Sequence, residues 1–134
     1  MTNTDRLIVL DRDGVINEDS ETYIKTPDEW QPLAGSLEAI AGLKKAGFRV
    51  VVVSNQSGIG RGLLTVASLE AINRKMMEAV TVAGGELAGI YCCPHMPVDN
   101  CDCRKPRPGL LLQVAEDFGI SLNNIPVIGD RASD

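Results

Sequence analysis

The sequence predicts an α/β domain built on a mostly parallel sheet, and three features of the chain predict it. Short apolar runs recur at Leu7–Leu10, Phe48–Val53, Leu87–Cys92 and Ile125–Ile128, each too short for a helix. Segments with apolar residues at helical spacing separate them, the alternation that parallel crossover units require. Three of the runs stop abruptly at polar residues, namely Asp11, Ser54 and the pair Gly129-Asp130. In parallel sheets the crevice beyond the carboxyl ends of the strands is where ligands bind.

Each element has its own justification. Leu7–Leu10 has no polar residue, as a strand covered on both faces requires. Gly14 to Leu33 is an irregular stretch broken by Pro27 and Pro32. A helix follows with Ser36 as N-cap, Leu37, Ile40 and Leu43 on its apolar face and Gly47 as its stop. Phe48–Val53 contains four valines in succession, a strong strand signal. The Gly-rich loop SNQSGIGRG then leads into a helix from about Val66 to Ala83. Leu69, Ile72, Met76 and Val80 line one side of that helix, and Gly84-Gly85 end it. Leu87–Cys92 is the third strand, Pro108–Phe118 the third helix with Gly119 as its stop, and Ile125–Ile128 the fourth strand. No repeat or linker interrupts the pattern, so residues 1–134 read as one domain.

Composition narrows the function. With 134 residues, 44% of them hydrophobic, the chain can bury a single core. One Trp, two Tyr and two Phe leave Val, Ile, Leu and Ala to fill it. No apolar run reaches membrane length and the first residues are polar, so the expected location is the cytoplasm. A net charge of −5 weighs against nucleic acid and anionic membranes as partners. The cations Arg61, Arg104, Lys105 and Arg107 fall in loops, where a small anionic substrate could meet them.

The strand ends carry the chemistry. Asp11 and Asp13, with only Arg12 between them, form a hard-oxygen site suited to Mg²⁺. One carboxylate can attack phosphorus while the other handles a proton. An Asp-rich turn capping the next element would show the same DxDG, so the pair alone does not separate the two readings. Ser54 could donate to a phosphoryl oxygen, although Ser-Asn after a strand is common turn chemistry. Arg104 and Lys105 suit a phosphate, yet could form an ordinary solvated basic loop. Asp130 and Asp134 lie at the end of the last strand.

Taken in order, DxD, Ser54, Lys105 and GDxxxD resemble the motifs of the haloacid dehalogenase-like superfamily of phosphotransferases. The resemblance covers nearly the whole chain and implies a three-layer Rossmann-like fold. It implies that Asp11 attacks phosphorus to give an aspartyl-phosphate, and that Asp13 protonates the leaving alkoxide and then deprotonates water. Ser54 and Lys105 would hold the phosphoryl group. Asp130, Asp11 and the backbone carbonyl of Asp13 would bind Mg²⁺, with Asp134 joining through water.

All four cysteines and the only histidine fall between Cys92 and Cys103. Cys93, His95, Cys101 and Cys103 make a closed tetrahedral set, which favours a structural zinc. Their ligand atoms should then converge within about 4 Å of one another. Cys92 should point to the opposite side of the strand and act as a small apolar residue.

The zinc loop running into CRKPRPG, together with LDRDGVIN, Glu18 and SNQSGIGRG, resembles the family of D-glycero-D-manno-heptose 1,7-bisphosphate 7-phosphatases. That resemblance implies no large cap domain, a sugar bisphosphate as substrate, and Glu18, Asn55, Gln56, Arg61 and Arg104 at the substrate; a monomer is expected when the chain is intact. Histidinol-phosphate phosphatases share the zinc loop and are the nearest alternative, but Arg61, Arg104 and Arg107 suit a second phosphate better than an amine. A polynucleotide phosphatase of the same superfamily fits the acidic charge less well. Families of this type continue past the position of Asp134 with a helix and another strand. The sequence therefore reads as lacking them, with Ile125–Ile128 expected at a sheet edge. An inactive zinc-stabilised fragment is the corresponding non-enzymatic reading.

Overall fold

The computed structural model describes residues 6–19, 23–56, 58–95, 101, 105, 109–121 and 125–129. Four strands, β1 (Leu7–Leu10), β2 (Arg49–Asn55), β3 (Leu87–Cys93) and β4 (Val127–Ile128), form one sheet in the order β3-β2-β1-β4. Every pairing is parallel. Among the described residues three α-helices alternate with them, α1 (Ser36–Lys45), α2 (Val66–Val82) and α3 (Gly109–Phe118).

The pleat sorts the aliphatic strands onto two faces. Ile8, Leu10, Val50 and Val52 pack with Ile40 of α1 and Leu69, Ile72, Met76 and Val80 of α2. Leu7, Val9, Val51, Val53 and Cys93 pack with Leu110 and Val114 of α3 on the other face. The sheet is thus the middle of three layers. All three helices end alike, with Phe48, Gly85 and Ile120 each donating its N–H five residues back. Gly47, at φ 88, adopts the left-handed backbone that this closure requires.

Several boundaries differ from the sequence reading, each for a local reason. β2 and β3 run further because Ser54 and Asn55 pair with Cys92 and Cys93. β4 is shorter because Pro126 has no N–H to give; its carbonyl still accepts from Val9 N–H at 2.9 Å. β4 lies at the sheet edge, with Val127 and Ile128 exposed. Ser36 is not the N-cap of α1: Gly35 is, and the Ser36 hydroxyl instead donates to Ile16 O at 2.7 Å. In α2 the cap is Thr65, whose hydroxyl accepts from Ser68 N–H at 3.1 Å.

The stretch after β1 carries more of the core than its irregular sequence suggests. Ile16, Ile24 and Trp30 are buried against α1 and α2. A short 3₁₀ turn at Pro27–Glu29 follows, and Lys75 of α2 donates to Pro27 O at 2.7 Å and Trp30 O at 3.0 Å. Hydrogen bonds from Glu18 N to Gln31 O and from Leu33 N to Ile16 O close the segment on itself. Its described residues form a wall beside the carboxyl end of β1.

Candidate active site

Asp11 leaves β1 directly, and its backbone N–H donates to Ile128 O at 2.9 Å, so β4 fixes its position. Asp11 Oδ1 accepts the Arg12 N–H at 2.8 Å and lies 3.4 Å from Lys105 Nζ. Both residues of that pair are buried, Asp11 at 8% and Lys105 at 7% exposed. Either charge alone would be costly there, so the two must be read as a unit. Asn55, at the end of β2, fixes the lysine: its Oδ1 accepts Lys105 N–H at 2.9 Å and its Nδ2 donates to Lys105 O at 3.4 Å. A carboxylate and a cation from residues far apart in sequence are thereby brought to one strand end.

Asp13 sits in the turn that follows. The Arg12 carbonyl accepts from the N–H groups of Val15, Ile16 and Asn17, and Gly14 takes φ 83 to close it. Asp13 Oδ1 accepts from Arg12 Nε and Asn17 Nδ2, both at 2.9 Å, and Oδ2 accepts from Gln56 Nε2 at 3.1 Å. Burial pushes the Asp13 carboxyl up. The Arg12 charge and the hydrogen bonds from Arg12, Asn17 and Gln56 outweigh it and hold the group below the usual carboxylate range. Ser54 is buried, and its hydroxyl accepts from Gln56 Nε2 at 2.7 Å.

Asp11, Asp13, Ser54, Asn55, Gln56 and Lys105 are thus gathered where β1 and β2 end. Glu18 and Arg61 are exposed on the loops that follow those strands, with Arg61 over the Tyr23 ring at 5.9 Å. Arg104, Arg107, Asp130, Asp134 and Cys103 lie outside the described residues. Arg12 and Asn17 were given no role by the sequence reading, and only Asn17's place in the DRDGVIN turn could have drawn attention to it.

A second group forms at the end of β3. Cys93 Sγ lies 3.5 Å from His95 Nδ1 and 3.5 Å from Cys101 Sγ, and the three ligand atoms fall within 4.8 Å of one another. Ligands at tetrahedral zinc are separated by about 3.5–3.8 Å, so two of the pairs already stand at that spacing. Cys92 faces the other side of the sheet and packs beside Ile90 against the α1–α2 core. Burial raises its thiol, which therefore stays protonated.

A family model described as polynucleotide kinase 3 phosphatase matches residues 6–134. The D-glycero-beta-D-manno-heptose-1,7-bisphosphate 7-phosphatase of Pseudomonas aeruginosa is 53% identical over 128 residues, covering 96% of this chain and 72% of that protein. Its counterpart from Pseudomonas putida is 50% identical over 129 residues, covering 96% and 74%. The chain belongs to this heptose bisphosphate phosphatase family. A solved family member, the D,D-heptose 1,7-bisphosphate phosphatase of Bordetella bronchiseptica complexed with magnesium and phosphate, superposes with a TM-score of 0.93. It is 48% identical, over 96% of this chain and 72% of that one. The fold is therefore the HAD-like α/β fold. Among the described residues no helix is long and apolar enough to cross a membrane.

Proposed function

We propose that this chain is a phosphatase that removes the 7-phosphate of D-glycero-D-manno-heptose 1,7-bisphosphate through an aspartyl-phosphate. The observation that carries the reading is the buried Asp11–Lys105 pair at the end of β1, in a chain about half identical to phosphatases of that name. An anionic nucleophile can approach an anionic phosphate only where fixed cations offset the repulsion. Lys105 is such a cation, and Asn55 holds it in place.

In the first step an Asp11 oxygen bonds to phosphorus and the ester P–O bond breaks. The alkoxide oxygen keeps the electron pair and takes the proton of Asp13. A water oxygen then bonds to phosphorus as Asp13 takes its proton, and the bond to Asp11 breaks to release phosphate. The donors at the strand end, an Asp11 carboxylate and the Asp13 carbonyl, with Asp130 from the sequence, are all hard oxygens that fit Mg²⁺. When bound, that ion supplies positive charge at the phosphoryl oxygens. Exposed Arg61, with Glu18 and Arg104, serves the sugar and its second phosphate. The substrate is a small molecule, and the enzyme acts in the cytoplasm.

Assay of one preparation with both heptose bisphosphate anomers, histidinol phosphate and a 3′-phosphorylated oligonucleotide tests the substrate. The heptose bisphosphate should show the largest kcat/KM. A larger value for either of the others would overturn the assignment, and the family-model description makes the oligonucleotide the sharper competitor.

Cys93, His95 and Cys101, completed by Cys103, form a structural zinc site in this reading. Cys93 is buried in the α3-side core, so the metal would tie the Lys105 segment to β3. Metal analysis should return one zinc per chain, and Cys93→Ser should lose it and lower the melting temperature. Full zinc content in that variant would exclude Cys93 as a ligand.

A further inference from the structure

Among the described residues Arg12 is the largest charged side chain hidden from solvent, at 0% exposed. An arginine cannot shed its charge, so burying it demands compensation. Its side chain is spent on two partners: Nε donates to Asp13 Oδ1 at 2.9 Å and Nη2 donates to Gln56 Oε1 at 3.1 Å. Gln56, itself 5% exposed, returns Nε2 to Asp13 Oδ2 at 3.1 Å. Arg12, Gln56 and Asp13 therefore close a ring in which both carboxylate oxygens are gripped from different directions. The same Gln56 nitrogen reaches Ser54 Oγ at 2.7 Å. The backbone is fixed as firmly, since three N–H groups converge on the Arg12 carbonyl.

For stability alone this is a poor arrangement. A buried ion pair gives little net stabilisation over apolar packing of the same volume. Arg12 Nη1 is also buried with no hydrogen-bond partner among the described residues, which adds a cost. What the ring does supply is orientation. A carboxylate held only by its own torsions can rotate away from the reacting oxygen, and displacement of about an ångström costs roughly 10²-fold in rate. With Arg12 and Asn17 on one oxygen and Gln56 on the other, rotation breaks three hydrogen bonds to the charged carboxylate.

We propose that Arg12 and Gln56 are positioning residues that set the direction of the Asp13 carboxyl for proton transfer to the leaving oxygen. Gln56, read from the sequence as a substrate contact, then acts from beneath the site. The proposal rests on the phosphatase reading above, in which Asp13 is the acid.

Its test compares a sugar phosphate with 4-nitrophenyl phosphate. The alkoxide of the sugar leaves only with a proton, whereas the nitrophenolate leaves without one. The quantity kcat/KM reports steps through leaving-group departure, so the later water step does not enter. Gln56→Met and Arg12→Met should each lower the sugar-to-aryl ratio of kcat/KM by about 10- to 100-fold. Loss of folding, of metal or of Ser54 placement would lower both substrates together and leave the ratio unchanged. Asp13→Asn is the reference. If it lowers the ratio while both methionine variants keep it, the positioning role is wrong and the phosphatase mechanism stands. A ratio unmoved by Asp13→Asn itself would mean that Asp13 is not the acid. A crystal structure of metal-free Gln56→Met gives a readout without turnover, and an Asp13 carboxylate still in its original place would also overturn the proposal.

Discussion

Asp11→Asn should abolish turnover, by at least about 10⁴-fold, while leaving a folded chain. The substitution keeps the shape of the side chain but removes the charge that, in the proposed mechanism, attacks phosphorus. An amide oxygen is a weak nucleophile, and an amide nitrogen in the Oδ1 position would face both Lys105 and the Arg12 N–H, donor against donor, so the amide oxygen should take that place. The Arg12 N–H bond to the side-chain oxygen can survive, as can the backbone bond to Ile128, so the strand end should keep its form. The second consequence falls on Lys105, which would be left buried opposite a neutral group. Removing one partner of a buried pair destabilises by up to about 3–5 kcal/mol, a loss visible in urea unfolding. Brief reaction with phosphate-labelled substrate followed by acid quench should find label on the normal chain and none on the variant. Near-normal turnover, or equal labelling, would remove Asp11 as the nucleophile.

The fold was legible because its buried strands are written in uninterrupted aliphatic residues. Val50–Val53 can satisfy two apolar faces at once, and the valines do alternate between the α1–α2 core and the α3 core. The strand-end polar residues were legible for the complementary reason: Asp11 and Ser54 follow apolar runs with no intervening loop. The partners of those residues were not legible. Gln56 reaches Asp13 across 43 positions and Asn55 reaches Lys105 across 50. No periodicity records such contacts. Arg12 was hidden by its type, since an arginine in a loop is usually solvated and this one is wholly buried. The stretch from Gly14 to Leu33 misled in the other direction. Its prolines and polar residues mark irregular backbone, but Ile16, Ile24 and Trp30 are spaced by that backbone rather than by a helix or strand period, so their burial left no pattern to read.

Asp13→Asn should slow turnover by about 10²–10⁴-fold, the usual worth of a positioned proton carrier. In the ligand-free site the carboxyl is held ionised, which suits the water-activating step. The protonated form needed first is favoured when a phosphate dianion arrives beside it, because a like charge within about 4–6 Å raises a carboxyl's affinity for its proton. An asparagine can enter neither step. It also cannot satisfy the ring it sits in. With Oδ1 still facing Arg12 and Asn17, its amide nitrogen meets the Gln56 nitrogen; turning Gln56 to accept from it would present that nitrogen to Arg12 instead. One donor clash persists in either arrangement, and the Arg12 charge stays buried without a counter-ion. The variant should therefore be less stable as well as slower. Because the folded-state value of Asp13 is lowered, its stabilising contribution is fully present above the ordinary carboxylate value near pH 4 and is lost as pH falls through the lower value in the folded protein. The difference in unfolding free energy between the normal chain and Asp13→Asn should then be constant near neutrality and shrink in acid. A difference that does not change with pH would show that Asp13 is not held ionised by Arg12, and a turnover number equal to that of the normal chain would remove it from proton transfer.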